Sequence, residues 1–282
     1  MKDEKAAGVK DPRGGGGSDI PTPPAGHANP LYGSGIFRRR VRLENRPGAV
    51  QAELEDCSHG FRLRISHDGV LARAISVETL RFPLSTCMEA GGPLAGIAGF
   101  PLAASWMEFQ RRFPASGNCT HLHDLAWWAL QHAARKQVLR DYEVAVSDEG
   151  PQGSECSVWR DGERVLHWQA ARGVVAAPPE IAGRPMLRGF SAWATPLFQG
   201  DAYEAAIMLQ RGYLVAQGRR YDKQASAGMS VTSHKERHGA CFSYSEGAVE
   251  RAIVTFGSDR DFTHAPELLL RFEQRIPDFC PR

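Results

Sequence analysis

The chain has no long apolar run. Nowhere in its 282 residues is there a stretch approaching the roughly 20 apolar residues that span a bilayer. Residues 1–26 lack the apolar core of a secretory signal, so none is expected. Neither sign of charge is in excess: 34 basic and 32 acidic residues leave a net +2. A surface so balanced has no electrostatic footprint for a polyanion, so neither nucleic acid nor an anionic membrane is expected as a partner. Six cysteines are present (Cys57, Cys87, Cys119, Cys156, Cys241 and Cys280), but no C-x-x-C pair. That spacing argues against zinc-ribbon and iron–sulfur sites. With no signal segment, free thiols in the reducing cytoplasm are the expectation. There is also no phosphate-binding loop, dinucleotide fingerprint or G-x-S-x-G elbow, which removes the usual nucleotide enzymes and α/β-hydrolases. His121 and His123, two apart on a helix, face different directions, and no H-E-x-x-H occurs; no metal and no cofactor is expected.

What is present is ordinary globular composition, 42% hydrophobic and 23% charged, enough for one large core or two modest ones. Residues 1–30, with Gly14 to Gly17 and Pro21, Pro23 and Pro24, bury too little apolar surface to offset ordering and read as a tail. From Ile36 the pattern changes. Residues 36–43 and 50–57 read as strands. Phe61, Leu63 and Ile65 alternate with Arg62, Arg64 and Ser66, the two-residue period of a half-buried strand. His67-Asp68-Gly69 signals a hairpin whose partner is residues 70–80. Helices are expected over residues 102–113 and 120–136, the second with Asn118 or Thr120 as its cap.

Residues 138–282 repeat this plan loosely. Strands are expected at 142–146, 156–160 and 164–170, with a hairpin at Asp161-Gly162, and a strong helix at 201–217. Two further strands (240–244, 253–256) and a short closing helix (266–272) follow. The expected class is α+β: antiparallel meanders each followed by helices, residues 31–137 and 138–282 packing as one two-part domain. One sheet from both halves and two similar subdomains both fit this pattern.

Three constellations can carry chemistry. The first is Gly117 to Asp124, at the start of the strongest helix, where unpaired N–H groups and the helix dipole favour an anion or a developing oxyanion. His121 and Asp124 share a face there, with Trp128 one turn on, and could form an oriented general base beside an aromatic wall; equally, they could simply stabilise the first turn. Cys119 could be a nucleophile or a small buried side chain. The second is the polar set of the first meander, including Arg38, Arg40, Glu53, Glu55, Asp56, His59 and Arg81. Its strand faces would give an ion-pair lattice, or a pocket mouth where His59 and Glu55 work beside an Arg. The third is aromatic: Phe190 and Trp193, in a Gly- and Pro-punctuated loop, and Tyr244 could line a pocket.

Several stretches together resemble the bacterial family known as domain of unknown function 2889. They are the Arg38 to Arg40 strand, Glu53-Leu54-Glu55-Asp56-Cys57 with His59, His67-Asp68-Gly69, Arg81-Phe82-Pro83 leading to Cys87, and Gly117-Asn118-Cys119-Thr120-His121-Leu122-His123-Asp124. The likeness is strongest over residues 36–136. This chain has Cys87-Met88 where the family's usual motif has Cys-Pro. The resemblance implies a role in breakdown of aromatic compounds: a cofactor-independent lyase acting on a small lignin-derived phenolic, releasing formaldehyde from a hydroxymethyl side chain. On that reading His59 or His121 is the base, Asp124 or Glu55 orients it, Arg40 holds the oxygen, and Trp128, Phe190, Trp193 and Tyr244 are walls, with Arg38 beside the substrate. A non-catalytic carrier of aromatic ligands, and an ester or thioester hydrolase using the helix N-terminus, are the alternatives. A homodimer is the expected assembly, as the commonest oligomer.

Overall fold

The computed structural model describes residues 27–135 and 137–272. The expected tail thus lies largely outside the described residues, except that residues 27–30 are placed against the body. There His27 O accepts from Asp222 N, and Ala28 bridges Tyr221.

Strand alternation organises the molecule. The strands β1 (Ile36–Arg46), β2 (Ala49–Asp56), β3 (Gly60–His67) and β4 (Ala72–Arg81) form the first meander. The second comprises β5 (Leu139–Ser147), β6 (Ser154–Arg160), β7 (Glu163–Ala171) and β8 (Val174–Ala177). Antiparallel pairing of β1 with β5, with Val41 opposite Tyr142, joins them into a single eight-stranded sheet ordered β4-β3-β2-β1-β5-β6-β7-β8. The chain is therefore α+β, with one sheet built from both halves. Asp161 and Gly162, at φ 53° and 85°, make the tight hairpin turn that their side chains allow.

Helices cover one face. On β1 that face carries Phe37, Val41 and Leu43, all fully buried, and one charged exception, Arg39. The helix α2 (Thr120–Ala133) lies over β1, β2 and β3, and α4 (Gly200–Ala216) over β1, β5, β6 and β7. The shorter α1 (Trp106–Arg112) starts at a reciprocal cap in which Ser105 and Glu108 bond each other's backbone N–H. The other sheet face is ionic, as strand periodicity suggests. Arg40 and Arg42 both grip Asp141, Arg62 binds Glu53, and Arg81 binds Glu55. Arg38 donates to the Thr263 carbonyl, at 3.3 Å.

The later chain departs from expectation. Residues 190–197, read as loop because of the flanking Gly189 and Pro196, form α3 (Phe190–Leu197). Residues 240–244 and 253–256 form single turns and isolated bridges rather than strands, since among the described residues no neighbouring strand completes a ladder with them. The closing helix is only one 3-10 turn at Pro266–Leu268.

At Gly212 α4 passes close against the sheet: a Cβ there would lie 2.5 Å from Val144 Cγ1. Helix propensity favours Ala over Gly by about 1 kcal/mol, but overpacking costs about 1–3 kcal/mol. Gly212→Ala is therefore expected to lower stability in denaturant titration, and Val144→Ala in the same chain to recover part of the loss. A stabilised single variant would contradict this packing.

Candidate active site

Asp56 ends β2, and Cys57-Ser58-His59 turn the chain into β3. The carboxylate is fully buried. Its Oδ1 accepts from the backbone N–H groups of Ser58 and His59 and from His59 Nδ1, each at 2.9 Å. Its Oδ2 accepts from Arg39 Nε at 3.1 Å and Nη2 at 2.5 Å. Arg39 is the direct cross-strand neighbour of Asp56, which explains why a guanidinium sits on the apolar face of β1. Because a carboxylate only accepts, His59 Nδ1 carries the proton and the neutral ring presents Nε2 as a lone pair. Among the described residues Nε2 has no hydrogen-bond partner.

The helix α2 delivers the second imidazole. Cys119 is its N-cap, so His121 stands in the first turn, stacked on His59 with centroids 3.9 Å apart and planes at 26°. His121 Nε2 is buried without a partner, 3.9 Å from Asp56 Oδ2. Phe61 lies about 6 Å from both rings. A third arm comes from the segment after α4: Lys223 Nζ donates to Ser58 Oγ and, at 2.9 Å, to Asp259 Oδ1. Arg81 secures the turn from outside, donating to the carbonyls of Asp56, Cys57, His59 and Ser258.

Burial sets the charge states. It lowers both histidines, and the nearby Arg39 adds to the effect; His121 is pushed well below its ordinary value. Burial works against the Asp56 carboxylate, but the charges of His59 and Arg39 and the N–H donors outweigh it and hold Asp56 well below the usual carboxylate range. At neutral pH the histidines are uncharged, so Arg39 and the N–H donors carry that task. The Cys119 thiol is buried and pushed far up, the opposite of what a nucleophile needs.

The structure brings His59 and His121 together but gives them Asp56 as the orienting acid. Strand alternation sends Glu55 to the opposite face, where it binds Arg81 and the N–H of Leu270. Asp124, one turn deeper along α2, is taken by Arg211 of α4 at 2.6 Å. Arg40 and Arg38 lie on the ionic face, across the sheet from the imidazoles. Trp128 is in the core under α2. Phe190 and Trp193 pack with Trp168 and Phe198 on the second half of the sheet. Tyr244 lies against Arg237, which also stacks on Tyr221. Sequence reasoning passed over Asp56 as an orienter and Lys223 entirely. The Asp-x-x-His spacing was a usable signal, because an Asp at that offset can close the turn on its own backbone; Lys223 had none.

Asp56, His59 and His121 also hold ligand atoms within 4.8 Å of one another. A divalent ion could take His59 through Nε2 with the Nδ1 proton still on Asp56, but the near-parallel stacked rings do not aim their in-plane lone pairs at one point. As arranged, the cluster is a hydrogen-bonded acid–base centre.

No protein-family model matches the chain, and a search of curated proteins finds no match.

Two measurements test these assignments. Removing Arg39 leaves a buried carboxylate short of its cation, so Arg39→Met is expected to cost about 3–5 kcal/mol in denaturant titration, with Asp56→Asn added to it recovering part. The lowered histidines also predict acid sensitivity. In the unfolded chain they return to about 6.5, so on acidification the unfolded state gains protons first; stability is full above that pH and drains as pH falls toward the folded values. Between pH 7 and 5 the wild type should lose more stability than His121→Gln. Equal losses would remove this cluster as the cause.

Proposed function

We propose that the chain is an enzyme of general acid–base chemistry, a carbon–carbon lyase that releases formaldehyde from a hydroxymethyl group on a small phenolic compound. The observation that carries the acid–base part is the buried Asp56 holding His59 Nδ1, which leaves Nε2 as an oriented base. The aromatic substrate class rests on the resemblance to the domain family of unknown function.

In the proposed step His59 Nε2 takes the proton of the hydroxymethyl O–H. That electron pair becomes the C=O bond of formaldehyde. The C–C bond breaks, and its electrons form a new C=C bond to the benzylic carbon of a substrate that has already lost its phenolic proton and benzylic hydroxyl as water to become the quinone methide, so that the ring turns aromatic with its oxygen as phenolate. His59 then returns its proton. Arg39 and Lys223 stand close to the turn, each paired with a carboxylate, Asp56 and Asp259. His121, stacked on His59 with an unpartnered Nε2, orients the base and offers a second polar contact. Described cysteines that are all free and the absence, among the described residues, of any helix long and apolar enough to cross a membrane support a cytoplasmic site of action.

Purified protein incubated with hydroxymethyl-bearing phenolics is expected to release formaldehyde, and to do so after exhaustive treatment with EDTA. His59→Ala should lower the rate by about 100-fold or more. Ligand-induced thermal stabilisation with no formaldehyde across a broad panel would replace this reading with that of a binding protein.

A further inference from the structure

Three of the described cysteines meet away from the imidazoles, brought together from distant parts of the chain. Cys87 stands on a single 3-10 turn after β4 (Ser85–Glu89), Cys119 caps α2, and Cys241 starts the turn Phe242–Tyr244. Backbone bonds hold these segments in place: Phe242 N donates to the Asn118 carbonyl at 3.0 Å, and Ser85 N to the Ile253 carbonyl at 2.9 Å. Cys87 and Cys241 belong to one small apolar cluster with Leu84, Val231, Tyr244 and Val249. Ser243 touches both thiols. Its Oγ lies 3.2 Å from Cys87 Sγ, and its backbone N–H, with that of Tyr244, points at the Cys241 sulfur. Cys87 and Cys119 are buried, whereas Cys241 is half-buried.

We propose that Cys241 and Cys87 form a modification site, at which a low-molecular-weight disulfide such as oxidised glutathione converts the two thiols to an intramolecular disulfide. The step is thiol–disulfide exchange. Cys241, as its thiolate, attacks one sulfur of the oxidant, and the other half leaves and takes up the proton as a free thiol. Cys87, losing its own proton, then attacks the Cys241 sulfur of this mixed disulfide, and the second half leaves as a thiol. The oxidant is reduced to two thiols while the two cysteines are oxidised together. Exposure sets the order, because Cys241 is the one of the three that solvent reaches and Cys87 stands in the wall beside it. Two N–H groups and the Arg237 guanidinium favour the Cys241 thiolate, although burial outweighs them and raises the thiol. Burial raises Cys87 as well, and pushes the deeper Cys119 far up. Exchange is therefore slower than at an exposed thiol. The product is correspondingly hard to reduce, since the reduced pair gains no stabilisation as thiolates. Nothing in this site depends on the acid–base reading.

The test uses the full chain carrying Cys280→Ser, which removes the cysteine outside the described residues. The reduced, folded protein is incubated with excess oxidised glutathione at mildly alkaline pH. Remaining thiols are alkylated, and the non-reduced tryptic digest is read by mass spectrometry. Trypsin leaves Cys87, Cys119 and Cys241 on three different peptides, so each pairing has its own mass. A Cys87–Cys241 link is expected, with Cys57, Cys119 and Cys156 recovered as alkylated thiols. The linked chain should melt at least about 5 °C higher, because the bridge restricts the unfolded state. Cys87→Ser should stop the reaction at a glutathione adduct on Cys241, and Cys241→Ser should leave Cys87 unmodified. The digest of the parent chain decides the matter should either variant fail to fold. A link through Cys119, an adduct that persists on Cys241 beside a free Cys87, an unmodified Cys241, or a linked chain that melts lower would each overturn the proposal.

Discussion

The structure around the imidazoles depends on keeping one carboxylate charged and out of water. Stripping a carboxylate of solvent costs several kcal/mol unless nearly every lone pair finds a donor, and Asp56 is given five: two N–H groups of its own turn, one from His59 and two from Arg39. Each donor constrains something else. The backbone donors are within reach only if residues 57–59 adopt this turn. The ring donor fixes His59 in orientation and tautomer. The guanidinium requires β1 to pair with β2 so that Arg39 faces Asp56. A slip of one residue would move Arg39 to the opposite sheet face and leave a buried charge unpaired, so the acid that orients the base also pins the strand register.

How much of this was legible follows from the range of the interactions involved. The two-residue alternation of β3 and the hairpin at Asp161-Gly162 are local, and both meanders could be read from them. The joining of the two halves through β1 and β5 is a pairing across about 100 residues, for which a single sequence carries no periodic mark; both halves having buried faces was compatible with two subdomains. The ionic face was legible because Arg38, Arg40, Glu53 and Glu55 alternate with apolar residues. Its actual pairs were not, since Arg40 and Arg42 both turn to Asp141 on β5.

The candidate site shows the same division. His59 and His121 were recognisable as chemistry-bearing residues, but which acid serves them depends on direction. On a strand, neighbours point to opposite faces, so Glu55 and Asp56 differ by one position and by the whole thickness of the sheet. On α2, Asp124 stands a turn beyond His121, and Arg211 of α4 reaches it there. The aromatic residues expected as walls are drawn elsewhere by a stronger pull. Trp128, Phe190 and Trp193 bury almost completely in the core, where their area stabilises the fold most.

The charge balance bears on why weakened bases should stand here at all. Arg39 with Asp56 and Lys223 with Asp259 cancel as two ion pairs, and the two histidines are neutral. Burial, helped by the charges of Arg39 and Lys223, depresses His59 against the opposing pull of Asp56, whose carboxylate is hydrogen-bonded to the ring. On the proposed acid–base reading, such a ring takes a proton reluctantly by itself and more readily when an oxyanion forms beside it, because the new negative charge adds a second anionic partner to Asp56. On that reading the same depression makes the protonated ring a stronger acid, able to return its proton. The proposed acid–base role thus has this arrangement keep the ring unprotonated until negative charge develops beside it.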